Sequence, residues 1–131
     1  MPPPHPALIR SLDDVEWESW PPEFVKQRGS VSWKALVGGE AGAGTNMVVG
    51  VARLRTGETL QPHRHTETET YFTLSGEGLV RVDEQLIAVR PGVSIFIPGD
   101  ALHSIQNPHP ADLMILYSFA IDSWDKVVYR L

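Results

Sequence analysis

An all-β sandwich or barrel is the fold class this sequence predicts, and three observations predict it. From residue 30 onward the chain is a series of short apolar or alternating runs rich in Val, Ile, Tyr, Phe and Thr, the residue types that suit a pleated, half-buried surface. The runs are punctuated by turn residues, in "GGEAGAGT", "TGET", "GEG", "DE", "RPG", "PGDA" and "NPHPA", where Gly, Pro, Asn and Asp bend the chain. Strands recur at roughly 8–12-residue spacing with no helix between them. At 131 residues the chain has the size of one domain and can bury about two-thirds of its unfolded surface. One core is expected, with no repeat and no second domain.

Taken in order, residues 1–6 carry four prolines, which a helix interior and a central strand both reject, so an extended arm with an exposed His5 is expected. The stretch "SLDDVEWESW" reads as a short helix capped by Ser11 and ended by Pro21-Pro22, with Trp17 and Trp20 on one face toward the barrel. Residues 1–22 are therefore assigned to an arm with a short helix, and 23–131 to a single barrel. Strands are expected near 30–37, 46–55, 70–75, 78–83, 85–90, 93–98, 103–107, 112–120 and 125–130.

Composition removes several function classes. The chain has no cysteine, which excludes disulfides, thiolate metal sites, Fe–S clusters and cysteine nucleophiles. A metal must be held by nitrogen and oxygen. The net charge is −5 and basic residues are scattered, giving no footprint for nucleic acid or anionic lipid. With no secretory pattern at "MPPPHPALIRSL" and no run approaching the ~20 apolar residues that cross a bilayer, a cytoplasmic protein that binds no membrane is the expectation.

The chemistry concentrates in "QPHRHTETETYFTLSGEG", residues 61–78. In an extended strand His63 and His65 point the same way and can converge on one ion. Glu69 cannot join them along a straight chain, because six residues at ~3.3 Å each span ~20 Å while ligands of one ion lie ~2.0–2.2 Å from it. A corner between 65 and 69 is required, followed by a returning strand that starts at Glu69. Glu67 falls in that corner and is expected to be solvated, and His109 in "NPHPA" to be exposed.

Gly57, His63, His65, Glu69 and Gly76 fit G-x5-H-x-H-x3-E-x6-G, and Gly92, Pro98, His103 and Asn107 fit G-x5-P-x-G-x2-H-x3-N. These are the two motifs of the cupins, which the chain resembles over about residues 50–107. One position departs: the glycine of P-x-G is Asp100, with Gly99 before it, a residue that tolerates positive φ less well than glycine, so a remodelled turn is expected there. The resemblance implies a jelly-roll barrel in which His63, His65, Glu69 and His103 bind one divalent ion with open positions. Imidazole and carboxylate donors suit Fe, Mn, Ni, Cu or Zn and disfavour Mg and Ca. Gly57, Gly76 and Gly92 are read as turn residues that shape the backbone.

Tyr71, two residues past Glu69, shares its strand face. Beside a cation its phenolate is stabilised, making it a candidate catalytic base; the alternative is a core aromatic whose hydroxyl caps a buried acceptor. "VSWKALV", the H-x-H-x3-E-x-Y spacing and "FAIDSWDKVVYRL" are further similar to the single-cupin dimethylsulfoniopropionate lyases, which pair a metal-bound carboxylate with proton abstraction by tyrosine. That implies Tyr71 as base and Tyr129 as a second pocket tyrosine. A small carboxylate-bearing or oxygen-rich substrate is expected, with lyase, dioxygenase and isomerase chemistry all open. A non-catalytic binding or sensor module is the alternative class. A homodimer is expected from the surplus apolar surface of "MVVGV" and "LMILYSF".

Overall fold

A computed structural model of the chain describes residues 7–38, 45–121 and 126–131. The arm with His5, most of the "GGEAGAGT" turn and the start of the expected strand 125–130 lie outside these residues. Ten strands are described: β1 (Glu18–Ser19), β2 (Ser32–Val37), β3 (Val48–Leu54), β4 (Thr59–His63), β5 (Glu69–Ser75), β6 (Gly78–Val82), β7 (Gln85–Val89), β8 (Ser94–Ile97), β9 (His103–Gln106) and β10 (Leu113–Phe119). They form a six-stranded sheet ordered β1-β2-β3-β10-β5-β8 and a four-stranded sheet ordered β4-β9-β6-β7, every pairing antiparallel. The all-β expectation holds.

Strand alternation builds the core. Along β10, Leu113, Ile115, Tyr117 and Phe119 are buried while Met114, Leu116 and Ser118 are half-buried on the outer face. Along β5, Glu69, Tyr71 and Thr73 point in and Thr70, Phe72 and Leu74 out. Because β10 and β5 are neighbours with Tyr117 opposite Tyr71 and Phe119 opposite Glu69, polar and aromatic groups collect at one end of a core otherwise made of Val80, Ile97, Ile105, Leu113 and Ile115.

Three local expectations are corrected. The helix is not at 11–20: residues 12–14 form a single 3-10 turn, in which Asp14 N–H donates to Ser11 O (3.1 Å), and α1 is Pro22–Arg28. Pro22 opens this helix, because at the first helical position its missing N–H would be unpaired anyway. Trp17 and Trp20 consequently share no helix face: Trp17 lies under Arg53 (4.1 Å) and Lys34 (4.9 Å), whereas Trp20 packs on Trp33 (5.0 Å). The third correction is at the C-terminus, where residues 127–129 are irregular and Arg130 alone pairs, with Arg64. That exchange is reciprocal, Arg64 N–H to Arg130 O at 2.7 Å and Arg130 N–H to Arg64 O at 2.8 Å. Among the described residues no helix is long and apolar enough to cross a membrane.

Two glycines fix how elements meet. Gly29 ends α1 at φ +110 and makes an antiparallel bridge with Leu60, so close to β4 that a Cβ would lie 2.2 Å from Thr59 O. Gly76, at φ +77, brings β5 against Asp112 O, 2.1 Å from where its Cβ would be. Gly57 and Gly92 also have positive φ, in keeping with their reading as turn residues.

Candidate metal centre

The predicted corner exists and does more than bend the chain, because β4 and β5 belong to different sheets. Residues 64–68 carry the backbone across from the four-stranded to the six-stranded sheet, so His63 ends one strand and Glu69 starts the other. Pro62 is tolerated within β4 because that strand is a sheet edge and the residue is exposed. The neighbouring β9 puts His103 directly opposite His63.

His63, His65 and His103 are all buried, at 5%, 2% and 1% exposure, and each offers a ring nitrogen within 4.8 Å of the others. Their tautomers are set by the backbone. Nδ1 of His63 faces Gln61 O at 2.7 Å, Nδ1 of His65 faces Glu67 O at 3.0 Å, and Nδ1 of His103 faces Ala101 O at 2.8 Å. A carbonyl only accepts, so each Nδ1 carries a proton and each Nε2 is turned inward, where it can ligate an ion through its lone pair. Glu69 Oε1 lies 3.2 Å from Nε2 of both His65 and His103.

Three inward ring nitrogens and one carboxylate, all desolvated, need a positive charge among them, either a proton on a nitrogen or a bound cation. This donor set therefore fits a divalent transition ion, with carbonyls in the outer position that ordinarily orients metal-binding histidines. The groups' proton affinities reflect this crowding and its partial relief by hydrogen bonds to Glu69. Burial and the neighbouring His103 hold His63 down at about 4. Burial lowers His65 too, but hydrogen bonding and charge from Glu69 outweigh it and raise the group. Glu69 is pushed up by burial, yet His103 and His65 hold it below the usual carboxylate value.

His63 and Glu69 open onto a cavity of about 470 Å3, within the range of small-molecule sites. Tyr71 lines it, 4% exposed, its ring 6.2 Å from that of His103. Burial, then the charge of Glu69, drives its hydroxyl well above the ordinary value. Tyr129 also lines the cavity, 5.3 Å from His63 and 5.6 Å from His65, and burial raises its hydroxyl as well. Of the remaining expected roles, Glu67 is half-buried and not solvated, because the corner packs its carboxylate on the Nδ1 side of His65 (3.7 Å), away from the inward nitrogens. His109 is half-buried and not exposed, its carbonyl accepting from Thr56 Oγ1 at 2.9 Å. The motif residue Asn107 is structural: its amide donates to Leu54 O and Ala111 O, both at 2.8 Å.

Asp100 adopts φ +65, so the turn keeps a left-handed residue at the glycine position of the motif. Its N–H donates to His65 O at 2.8 Å and its carboxylate pairs with Arg130. Sequence reasoning missed Tyr117, Trp20 and Arg28 as cavity residues. A signal for Tyr117 was available, since it shares parity with Leu113 and Ile115, and Gly50 opposite it leaves room for its ring: a Cβ there would lie 2.1 Å from the Tyr117 hydroxyl. Arg28 carries no such signal, being placed by the packing of α1.

The profile of the family described as "Cupin domain" matches residues 50–119. Dimethylsulfoniopropionate lyase DddW of Ruegeria pomeroyi is 40% identical over 102 residues, 78% of this chain and 66% of that protein, so the match spans just under two-thirds of the relative. Protein SchB of Streptomyces halstedii is 30% identical over 112 residues, 85% of this chain and 75% of that protein. Among solved structures, Rru_A2000 from Rhodospirillum rubrum, described as a cupin-2 domain, superposes with a TM-score of 0.76 at 21% identity, covering 98% of this chain and 82% of its own.

Proposed function

The chain belongs to the cupin domain family, and from that premise we propose that it is a metal-dependent lyase that removes the α-proton of a small carboxylate. The observation that carries this reading is the placement of Tyr71 in one cavity with His63 and Glu69. The similarity to a dimethylsulfoniopropionate lyase supports the reaction class. His63, His65 and His103 would hold the ion with Glu69 as fourth donor; Fe, Mn, Ni, Cu and Zn all suit such donors. The bound cation supplies Lewis acidity toward the substrate carboxylate, and positive charge to offset the burial and the Glu69 charge that otherwise keep Tyr71 protonated.

Tyr71 then takes the α-proton. The C–H electron pair becomes the α,β double bond, the β-substituent leaves with its own bonding pair, and the proton on Tyr71 passes to solvent. Phe119, stacked 5.6 Å from His65, keeps water from that side of the donors. The test is incubation of each metal-loaded form with dimethylsulfoniopropionate and other β-substituted carboxylates in D2O. Deuterium at the α-carbon or alkene product supports the lyase; neither, with any of the five ions, removes it.

A second reading is a non-catalytic binding module, which the strongly raised Tyr71 hydroxyl favours, because a phenol held protonated serves well as a hydrogen-bond donor. Saturable binding without product, in air and under anaerobic conditions, would select it; oxygen consumption would point instead to dioxygenase chemistry. The proposal includes a second copy of the chain. Exposed Phe72, Leu74 and Phe96 lie on the outward face of β5 and β8, and light scattering behind size exclusion should give twice the monomer mass.

A further inference from the structure

The lyase reading uses the inner end of the cavity and leaves its rim without a role. A smaller cavity of about 80 Å3 adjoins it, lined by Gln27, Arg28, Gln61, His63 and Tyr129 among others. Arg28 and His63 line both spaces, so a group seated in the smaller one lies beside the metal donors. Arg28 is put there by the last turn of α1 and by the close approach of Gly29 to β4. Its guanidinium carbon stands 5.1 Å from the Phe24 ring centroid and 5.8 Å from that of Trp20.

The half-buried Arg28 has no carboxylate in salt-bridge reach among the described residues. Glu18, which lines the larger cavity, is exposed and makes no ion pair with Arg28. A guanidinium is always charged, presents a planar fork of donors and stacks on aromatic rings; the group it matches in geometry and charge is a carboxylate or similar oxyanion. Gln61, half-buried and lining the same small cavity, adds a neutral side-chain amide donor of the kind that completes such a site.

We propose that Arg28, with Gln61 and Gln27, forms a second oxyanion subsite next to the metal donors, so that the preferred ligand is a small molecule with two carboxylates or one carboxylate and another oxyanion. This rests on the reading that a first carboxylate occupies the metal end. It sets the chain apart from the substrate named for its relative: a sulfonium-bearing acid would present a cation to Arg28, and dimethylsulfoniopropionate should bind more weakly than a dicarboxylate.

The experiment is calorimetric titration of the protein, loaded with whichever of the five ions gives full occupancy, using the dicarboxylates from malonate to adipate and the monocarboxylate of equal carbon number. At least one dicarboxylate should bind about ten-fold more tightly than its partner or better, as expected of hydrogen bonds to a charged group. That advantage should shrink with added NaCl, vanish in Arg28→Gln, persist in part in Arg28→Lys and fall in Gln61→Leu, with metal content unchanged throughout. No dicarboxylate advantage, or one that survives Arg28→Gln and so reflects chelation by the ion alone, overturns the subsite. Proton exchange at the α-carbon, measured in parallel, separates the two ideas. Exchange without a dicarboxylate advantage removes the subsite and keeps the lyase; an Arg28-dependent advantage without exchange does the reverse.

Discussion

Tyr71 and the three buried histidines occupy neighbouring positions but answer to different tests. Replacing His63, His65 or His103 by Ala should abolish stoichiometric metal binding, read by elemental analysis after reconstitution, because each contributes one inward nitrogen to a set only 4.8 Å across. Tyr71→Phe should keep the metal and lower turnover by about 10²–10⁴-fold, the usual worth of a positioned base; equal activity would retire Tyr71 as base and favour the binding module. His63 also makes a prediction about pH. Its folded value of about 4 lies below the ordinary 6.5, so as pH falls from 6.5 to 4 the unfolded metal-free chain takes up a proton that the folded one refuses, and stability is lost. The loss reaches up to about 1.4 kcal/mol per pH unit. His65, raised above its ordinary value, acts in the opposite sense. The contribution of His63 is therefore read as the difference in slope between wild type and His63→Ala, from urea unfolding at pH 7, 6 and 5, with wild type the steeper.

At the scale of elements, the strands were legible because period-two alternation records which face is buried, as in β5 and β10. The helix was misplaced because proline looks the same whether it stops a helix or starts one; only the packing of Gly29 on Thr59 shows that α1 follows Pro21. That junction is testable. Gly29→Ala forces a Cβ toward Thr59 O at a φ of +110, and a residue held in such a region costs about 1–3 kcal/mol before the clash is counted. Gly57→Ala, at φ +80 with nothing within 4 Å, bears the conformational cost alone. Chemical denaturation should show Gly29→Ala as clearly the more destabilised of the two, with metal binding retained in both because the donors lie on β4, β5 and β9 and in the corner that follows β4.

For the whole molecule, the donors come from both sheets, so an ion among them ties the barrel together and stabilises the folded state by mass action. At an ion concentration a hundred times the dissociation constant the gain is about 2.7 kcal/mol. For a domain of this size that raises the melting temperature by on the order of 10 °C, a shift that EDTA should reverse. A melting temperature indifferent to all five ions would contradict the metal site. The C-terminal residues belong to the same unit, since the Arg64–Arg130 backbone pair sits between the two histidines of the corner and seats Tyr129 against them.

By itself the sequence determined the kind of fold, the residues able to ligate and the need for a corner between His65 and Glu69, because spacing and alternation are local properties of a chain. Only the tertiary structure decided that the corner joins two sheets, that the histidine protons point outward to carbonyls, and that Tyr117, Trp20 and Arg28 share the cavity. Those facts depend on which distant segments meet. A half-buried arginine at the end of a seven-residue helix looks like any surface cation until the helix is seen lying against β4.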